Sequence, residues 1–384
     1  MYSIRTKLLS LSLAGALLLL SVFLSACSRQ PRDMKTNLKL KNAEYAVVLS
    51  RTYEYDAELL LIDHDGKIFD TLHYGESGVS SANYYQGDLY VYSGRNVENF
   101  VLRDSGELQM FSMQTDKIDH GECSVSWFTA NGQDGLIEAL NIGIFDGHYY
   151  SGVRYTDGSQ KKEAQIDDFM LCSAVEYDGK IFVNAEHNTD STWHPICVID
   201  KESGKYDLVS FEHGNTPAQG CLVLLNGKVF TYGDNLSYME AMDETEVRCT
   251  LGMLDAETFE TKEVDFTDDM ICLMYAFEDY IYVITESGTM YVFDDDLELT
   301  DKKPLADSTF KKNYLAEELL YDDKFTDRDD KIAVLYINAA LDPQNVGFIQ
   351  EYSKRDMTPV RRIDITPPDP GIWMGQQTVV AAIE

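Results

Sequence analysis

Cysteine, tryptophan and positive charge are all scarce in this chain of 384 residues, and each scarcity removes a reading. The seven cysteines include no Cys-x-x-Cys pair. Thirty-two Lys and Arg stand against 65 Asp and Glu, a net charge of −33 that argues against nucleic acids and anionic polymers as ligands. Such a charge is compatible with cations or basic peptides, and it also serves plain solubility. No Gly-x-Ser-x-Gly elbow, His-Glu-x-x-His pair or phosphate-cradling glycine loop occurs. The acidic run Asp294-Asp295-Asp296 lacks the alternating spacing of a calcium loop and reads as a solvated turn. After residue 43 no helical period of useful length is present, which leaves an all-β chain.

What is there is a repeat. From Leu171 to Phe211 four short apolar strands alternate with turns: Leu171 to Tyr177, Lys180 to Ala185, Ile196 to Asp200 and Lys205 to Phe211. Asp178-Gly179 between the first two is a strong hairpin signal, because a type I′ turn needs positive φ at both central residues. Matching turns fall at Gly87, Gly135, Gly179, Gly227, Asp279 and Asp330, in steps of 48, 44, 48, 52 and 51 residues. Seven outer hairpins can be counted. The spacing predicts a seven-bladed β-propeller of four-stranded antiparallel blades, with the segment Cys123 to Ile166 as its least regular blade. The first hairpin, from Tyr45, lacks a strand ahead of it, and Thr378 to Ile383 is a strand with no hairpin behind it. Inserting that last strand as the innermost strand of the first blade closes the ring and removes an exposed edge. Cys172, Cys221 and Cys272 recur at nearly the same place in successive repeats, within apolar strands, which reads as reduced core thiols.

The N-terminus has a separate purpose. Arg5 and Lys7 precede an apolar run from Leu8 to Leu24, followed by Leu24-Ser25-Ala26-Cys27. That is an export signal, excluded from the fold. Its last four residues resemble the lipobox of bacterial lipoproteins, which implies lipidation of Cys27 and cleavage before it. The expected organisation is a signal peptide over 1–26, a basic flexible tether over 27–42 and a propeller domain over 43–384. One acidic residue stands against seven basic ones in the first 42, so the remainder carries −39. The basic tether favours anionic head groups at about 1 kcal/mol per cation near the surface. The expected location is the extracytoplasmic face of a bacterial envelope membrane.

The turn, strand and Asp-before-Gly pattern of the repeats resembles the YVTN and PQQ-like propellers of bacterial envelope proteins. The Trp-Asp dipeptide of WD-repeat blades is missing. The resemblance implies a fold and a setting, not a function. In such propellers the connections from one blade's outer strand to the next blade's inner strand line one mouth of the channel. Those stretches place His73, Tyr74, His120, Asp168, His213, Asp269 and Trp373 there, with Trp127 nearby. The imidazoles and carboxylates suit a divalent cation if they converge, and Tyr74, Trp127 and Trp373 suit stacking. No cofactor is otherwise expected. Two functions fit: an anchored binding or scaffold protein for a protein, peptide or envelope glycan, or an extracellular hydrolase or lyase with a His/Asp site in the funnel.

Overall fold

A computed structural model describes residues 34–35, 38–50, 57–74, 79–93, 98–112, 125–145, 147–190, 192–211, 221–235, 248–305, 325–337, 347–366 and 379–383. They form seven antiparallel sheets. Blade one contains Tyr45–Ser50, Ala57–Ile62 and Ile68–Tyr74, and Val379–Ala382 is its innermost strand. Blade two runs Val79–Tyr85, Asp88–Ser93, Glu98–Leu102 and Glu107–Ser112; blade three runs Val125–Asn131, Leu136–Phe145, His148–Asp157 and Gln160–Asp167. Blade four comprises Phe169–Tyr177, Lys180–His187, Ile196–Asp200 and Tyr206–Val209, and blade five Val223–Leu225, Lys228–Asp234, Cys249–Asp255 and Thr261–Thr267. Ile271–Phe277, Tyr280–Thr285, Thr289–Phe293 and Leu299–Pro304 make blade six; Phe325–Arg328, Lys331–Ile337, Gly347–Ser353 and Pro359–Ile365 make blade seven. This is the seven-bladed propeller that the repeat spacing predicts.

The chain's tail closes the ring as expected. Val379–Ala382 runs antiparallel to the start of blade one, with Tyr45 opposite Ala382 and Val48 opposite Val379. The Ile383 amide donates to the Glu44 carbonyl at 2.9 Å, and the Ala382 amide donates across the seam to Thr326 Oγ1 of blade seven at 3.2 Å. Inner edges elsewhere also have their peptide groups met by the preceding blade. Asn141 of blade three exchanges bonds with the Leu171 peptide of blade four, and Ser173 Oγ accepts from the Leu222 amide ahead of blade five. Covering edge peptides in this way lets short strands sit around an axis without recruiting further chains.

Turn chemistry sets the blades. Asp178 and Gly179 take φ of 46° and 71°, and Asn226 and Gly227 take 51° and 76°, the type I′ geometry those residue pairs allow. A Cβ at Gly227 would also meet the Tyr177 hydroxyl at 3.0 Å. Between blades, apolar side chains gather into seven clusters, one in each seam. Because both faces of a blade are covered, its middle strands are largely buried, and all six residues of Ala57–Ile62 are. Among the described residues the seam between blades two and three has the smallest cluster, with Tyr92, Leu136, Leu140 and Ile142 at its centre.

Two details differ from the sequence expectation. The basic stretch expected to be a flexible tether is in part integrated: Met34–Lys35 pairs with Glu107–Leu108 as a fifth strand on blade two, and Leu38 and Leu40 are buried in the seam between blades one and two. Apolar and basic residues alternate over 38–41, so one side enters the seam while the lysines stay outside. The recurring cysteines are also not quite equivalent. Register shifts make Cys172 and Cys272 the extra residue of a β-bulge in the inner strands of blades four and six, whereas Cys221 lies ahead of the assigned inner strand of blade five. Ser80 and Trp127 occupy the matching bulges of blades two and three. All five described cysteines are free thiols; Cys123 lies outside the described residues.

Candidate functional site

Strand direction places two sets of connections at one mouth of the channel: those between blades, and those joining the second and third strands within a blade. His73 is the last residue but one of the outer strand of blade one, and its Nε2 lies 3.2 Å from Oε1 of Glu58, a fully buried carboxylate directly opposite it in the ladder. Asp168 joins blades three and four with a left-handed backbone, φ 67°. Its carboxylate accepts from the Tyr149 amide at 3.3 Å and lies 3.6 Å from His148 Nδ1, and its carbonyl accepts from the Asn188 amide at 2.8 Å. Asp269 joins blades five and six and accepts the Ser287 amide with both carboxylate oxygens, at 3.1 and 3.3 Å.

These three expected ligands therefore hold turns and crossings in three different parts of the ring. Among the described residues no group of three His, Cys, Asp or Glu is close enough to hold a metal ion. Tyr74 ends the outer strand of blade one and Trp127 is the bulge residue of blade three. Cys27, His120, His213 and Trp373 lie outside the described residues. Of the loop in blade four, Phe169, His187 and Trp193 form a triangle of rings with centroids 5.0 to 5.1 Å apart. His187 Nδ1 accepts from the Asp190 amide at 3.0 Å, and Trp193 Nε1 donates to Ser210 Oγ, so this cluster fixes its own loop.

Charged chemistry that the sequence reading passed over lies at the opposite mouth, where the short turns gather. In most seams a turn residue from one blade plugs the gap beside the preceding blade. Lys201, in the last turn of blade four, has its amide on the Gly179 carbonyl and its ammonium 2.5 Å from Glu176 and 3.2 Å from Asp134 of blade three. Burial alone would lower its pKa, but those carboxylates outweigh it and raise it. Ala256 and Lys354 make the same turn-to-turn bond in blades five and seven, on the Gly227 and Asp330 carbonyls. Tyr275 of blade six donates to the Lys354 carbonyl at 2.6 Å, and Asp296 of blade six meets Lys228 of blade five at 2.6 Å. In blade one the His64 carbonyl accepts from Arg361 of blade seven, and in blade two Asp104 accepts from the Lys41 amide.

Among the described residues blade three has no such plug. Its last two strands are joined by a two-residue turn, with Asp157 opposite Gln160, where the other blades use four or five residues. The seam between blades two and three is left as a cleft of about 270 Å³. Tyr85, Tyr90, Arg103, Glu138, Arg154 and Lys161 line it. At its base Tyr92 donates to Glu138 Oε1 at 2.6 Å, Arg154 Nη1 lies 3.5 Å from Glu138 Oε2, and Arg154 Nε donates to Glu163 at 2.9 Å. Both charged side chains of that pair are about nine-tenths buried, at 8% and 10% exposure. Burial, reinforced by the Glu138 carboxylate, drives the Tyr92 pKa well above its ordinary value, which keeps the phenol a donor. The hydrogen bond to Asp88 raises the pKa of Arg103 and fixes its fork across the rim. The one sequence signal was charge inside apolar strands: Glu138 and Arg154 interrupt otherwise apolar runs.

No protein-family description and no curated protein sequence matches this chain. Solved structures do resemble it. BamB from Moraxella catarrhalis is 10% identical over 75% of this chain and 79% of that one, with a TM-score of 0.44. Apo AztD from Citrobacter koseri is 11% identical over 88% and 98%, with a TM-score of 0.44, and the Dos1 propeller is 10% identical over 88% of both chains, with a TM-score of 0.49. Likeness at this level says nothing about what this chain binds.

Proposed function

We propose that this chain is a lipid-anchored, extracytoplasmic binding protein that presents the surface of a closed propeller to a protein, peptide or envelope glycan and catalyses no reaction. The observation that carries the reading is the employment of its charged groups: His73, Asp168, Asp269 and the ammonium groups of Lys201 and Lys354, the last paired with Asp327, are all engaged in holding turns and seams. A funnel enzyme needs acid and imidazole groups converging on one point, and the described candidates are committed to separate local bonds. The anchor rests on the residues Leu24-Ser25-Ala26-Cys27 behind an apolar run, with basic residues after them.

Mass spectrometry of the N-terminal peptide from the full chain expressed in a bacterial host tests the anchor. A diacylglyceryl group on Cys27 is expected, with the protein in the membrane fraction and the Cys27→Ala variant neither lipidated nor cleaved at that site. A mature chain found free of membranes with an unmodified Cys27 would contradict it.

A further inference from the structure

We propose that the open seam between blades two and three binds the end of a neutral saccharide. This rests on the binding-protein reading above and names the ligand class and the place. The site exists because of one local difference, the two-residue turn of blade three, which withdraws the residue that fills the corresponding gap elsewhere. Its base is a buried ion pair between Glu138 and Arg154, and its walls carry Tyr85 and Tyr90 from blade two.

Charge and shape select the ligand. The lining has three cations, Arg103, Arg154 and Lys161, and three carboxylates, Asp88, Asp134 and Glu138. A cationic ligand must displace Arg103 from Asp88 or Arg154 from Glu138, and buried pairs broken in this way cost more than they return. An anionic ligand faces the same obstacle and the field of a domain bearing −39. A sugar faces neither. Its hydroxyls both donate and accept, so they match a wall on which guanidinium donors alternate with carboxylate acceptors, and its C–H face lies against a tyrosine ring. The volume, close to the lower limit of about 300 Å³ for ligand pockets, suits a chain end rather than a long oligosaccharide.

The test uses the full chain in phospholipid nanodiscs and saturation-transfer NMR with three neutral disaccharides, N,N′-diacetylchitobiose, cellobiose and maltose, beside glucose 6-phosphate and trilysine. Saturable transfer to at least one neutral sugar is expected, with Kd rising about tenfold in Tyr90→Ala as stacking and a hydrogen bond are lost. Lys161 is exposed at the rim, so Lys161→Ala leaves the fold intact and is expected to weaken the same sugar several-fold. A control at the filled seam between blades five and six, where the ammonium of Lys262 in blade five donates to the Asp296 carbonyl of blade six, is Lys262→Gln, which is expected to bind as the parent does. The proposal is overturned if none of the three sugars shows transfer at millimolar concentration, if binding is unchanged in both cleft variants, or if trilysine or glucose 6-phosphate displaces the sugar. Following the sugars by chromatography separates the two readings: cleavage would sink the non-catalytic function while leaving the site, and loss of binding alone would sink the site while leaving the anchor.

Discussion

Glu351 shows how single side chains hold the seams. It is 1% exposed in the third strand of blade seven, where it accepts from the Tyr45 hydroxyl at 2.7 Å, pairs with Arg361, and lies 3.3 Å from Lys331 Nζ. Arg361 and Arg328 continue the network to Glu44 of the first blade. Burial by itself would raise the Glu351 pKa, but the hydrogen bonds from Tyr45 and Arg361 outweigh it and hold the carboxyl below its ordinary range. A depressed folded-state pKa adds stability above the unfolded pKa and loses it as pH falls through the folded one. Glu351→Gln is therefore expected to cost about 3 kcal/mol in urea unfolding near neutral pH, as breaking a buried pair does, with the gap from the parent closing in acid. An unchanged urea midpoint at pH 7 would refute this account of the seam. The thiols give a second residue-scale prediction. Burial pushes the Cys249 pKa up to about 12 and raises Cys197 as well. Iodoacetamide at pH 8 is expected to leave both unmodified until denaturant is added, since only the thiolate reacts; ready labelling of the native protein would contradict their burial.

At the scale of elements, much of the fold was legible in the sequence. The Asp178-Gly179 and Asn226-Gly227 turns, the recurrence of turns every 44 to 52 residues and the orphan strand at the C-terminus each carry a local signal that tertiary structure only completes. Truncation after Gln377 tests the last of these. It removes the buried Val380, Ala381 and Ile383 and exposes the edge of Tyr45–Ser50. Several kcal/mol of burial are lost, so the shortened protein is expected to aggregate or to melt about 10 °C lower or more; an identical melting curve would show that the strand is dispensable. The arm over 38–42 was less legible because its alternation spans too few residues to stand out from its charge. Asp168 and Asp269 lie on connections between blades and His73 within an outer strand, and what the three do depends on Tyr149, Ser287 and Glu58. Those partners are set by register and by neighbouring turns, which no spacing in the sequence reveals. The open seam was illegible for a related reason. Thr156-Asp157-Gly158 reads as one more turn, and its shortness matters only beside the longer turns of the neighbouring blades.

At the scale of the whole molecule, the arm also bears on orientation. Only six residues separate Cys27 from Met34, a link of seven Cα–Cα steps and at most about 25 Å, and Met34–Lys35 is paired to the outer edge of blade two. With Cys27 lipidated, the propeller is expected to stand near the bilayer on that edge, its −39 charge keeping the remaining surface away from anionic lipid. A fluorophore at Gln109→Cys on blade two should then be quenched by nitroxide lipids more strongly than one at Asp301→Cys on blade six; equal quenching would remove the edge-on arrangement. All of this depends on a closed ring, and hydrogen exchange read by mass spectrometry tests the ring most directly. Peptides covering 379–383 and 45–50 are expected to exchange slowly and together, at rates comparable to the middle strands of the other blades. Exchange of 379–383 at the rate of an unstructured peptide, while 45–50 stays protected, would contradict the closure.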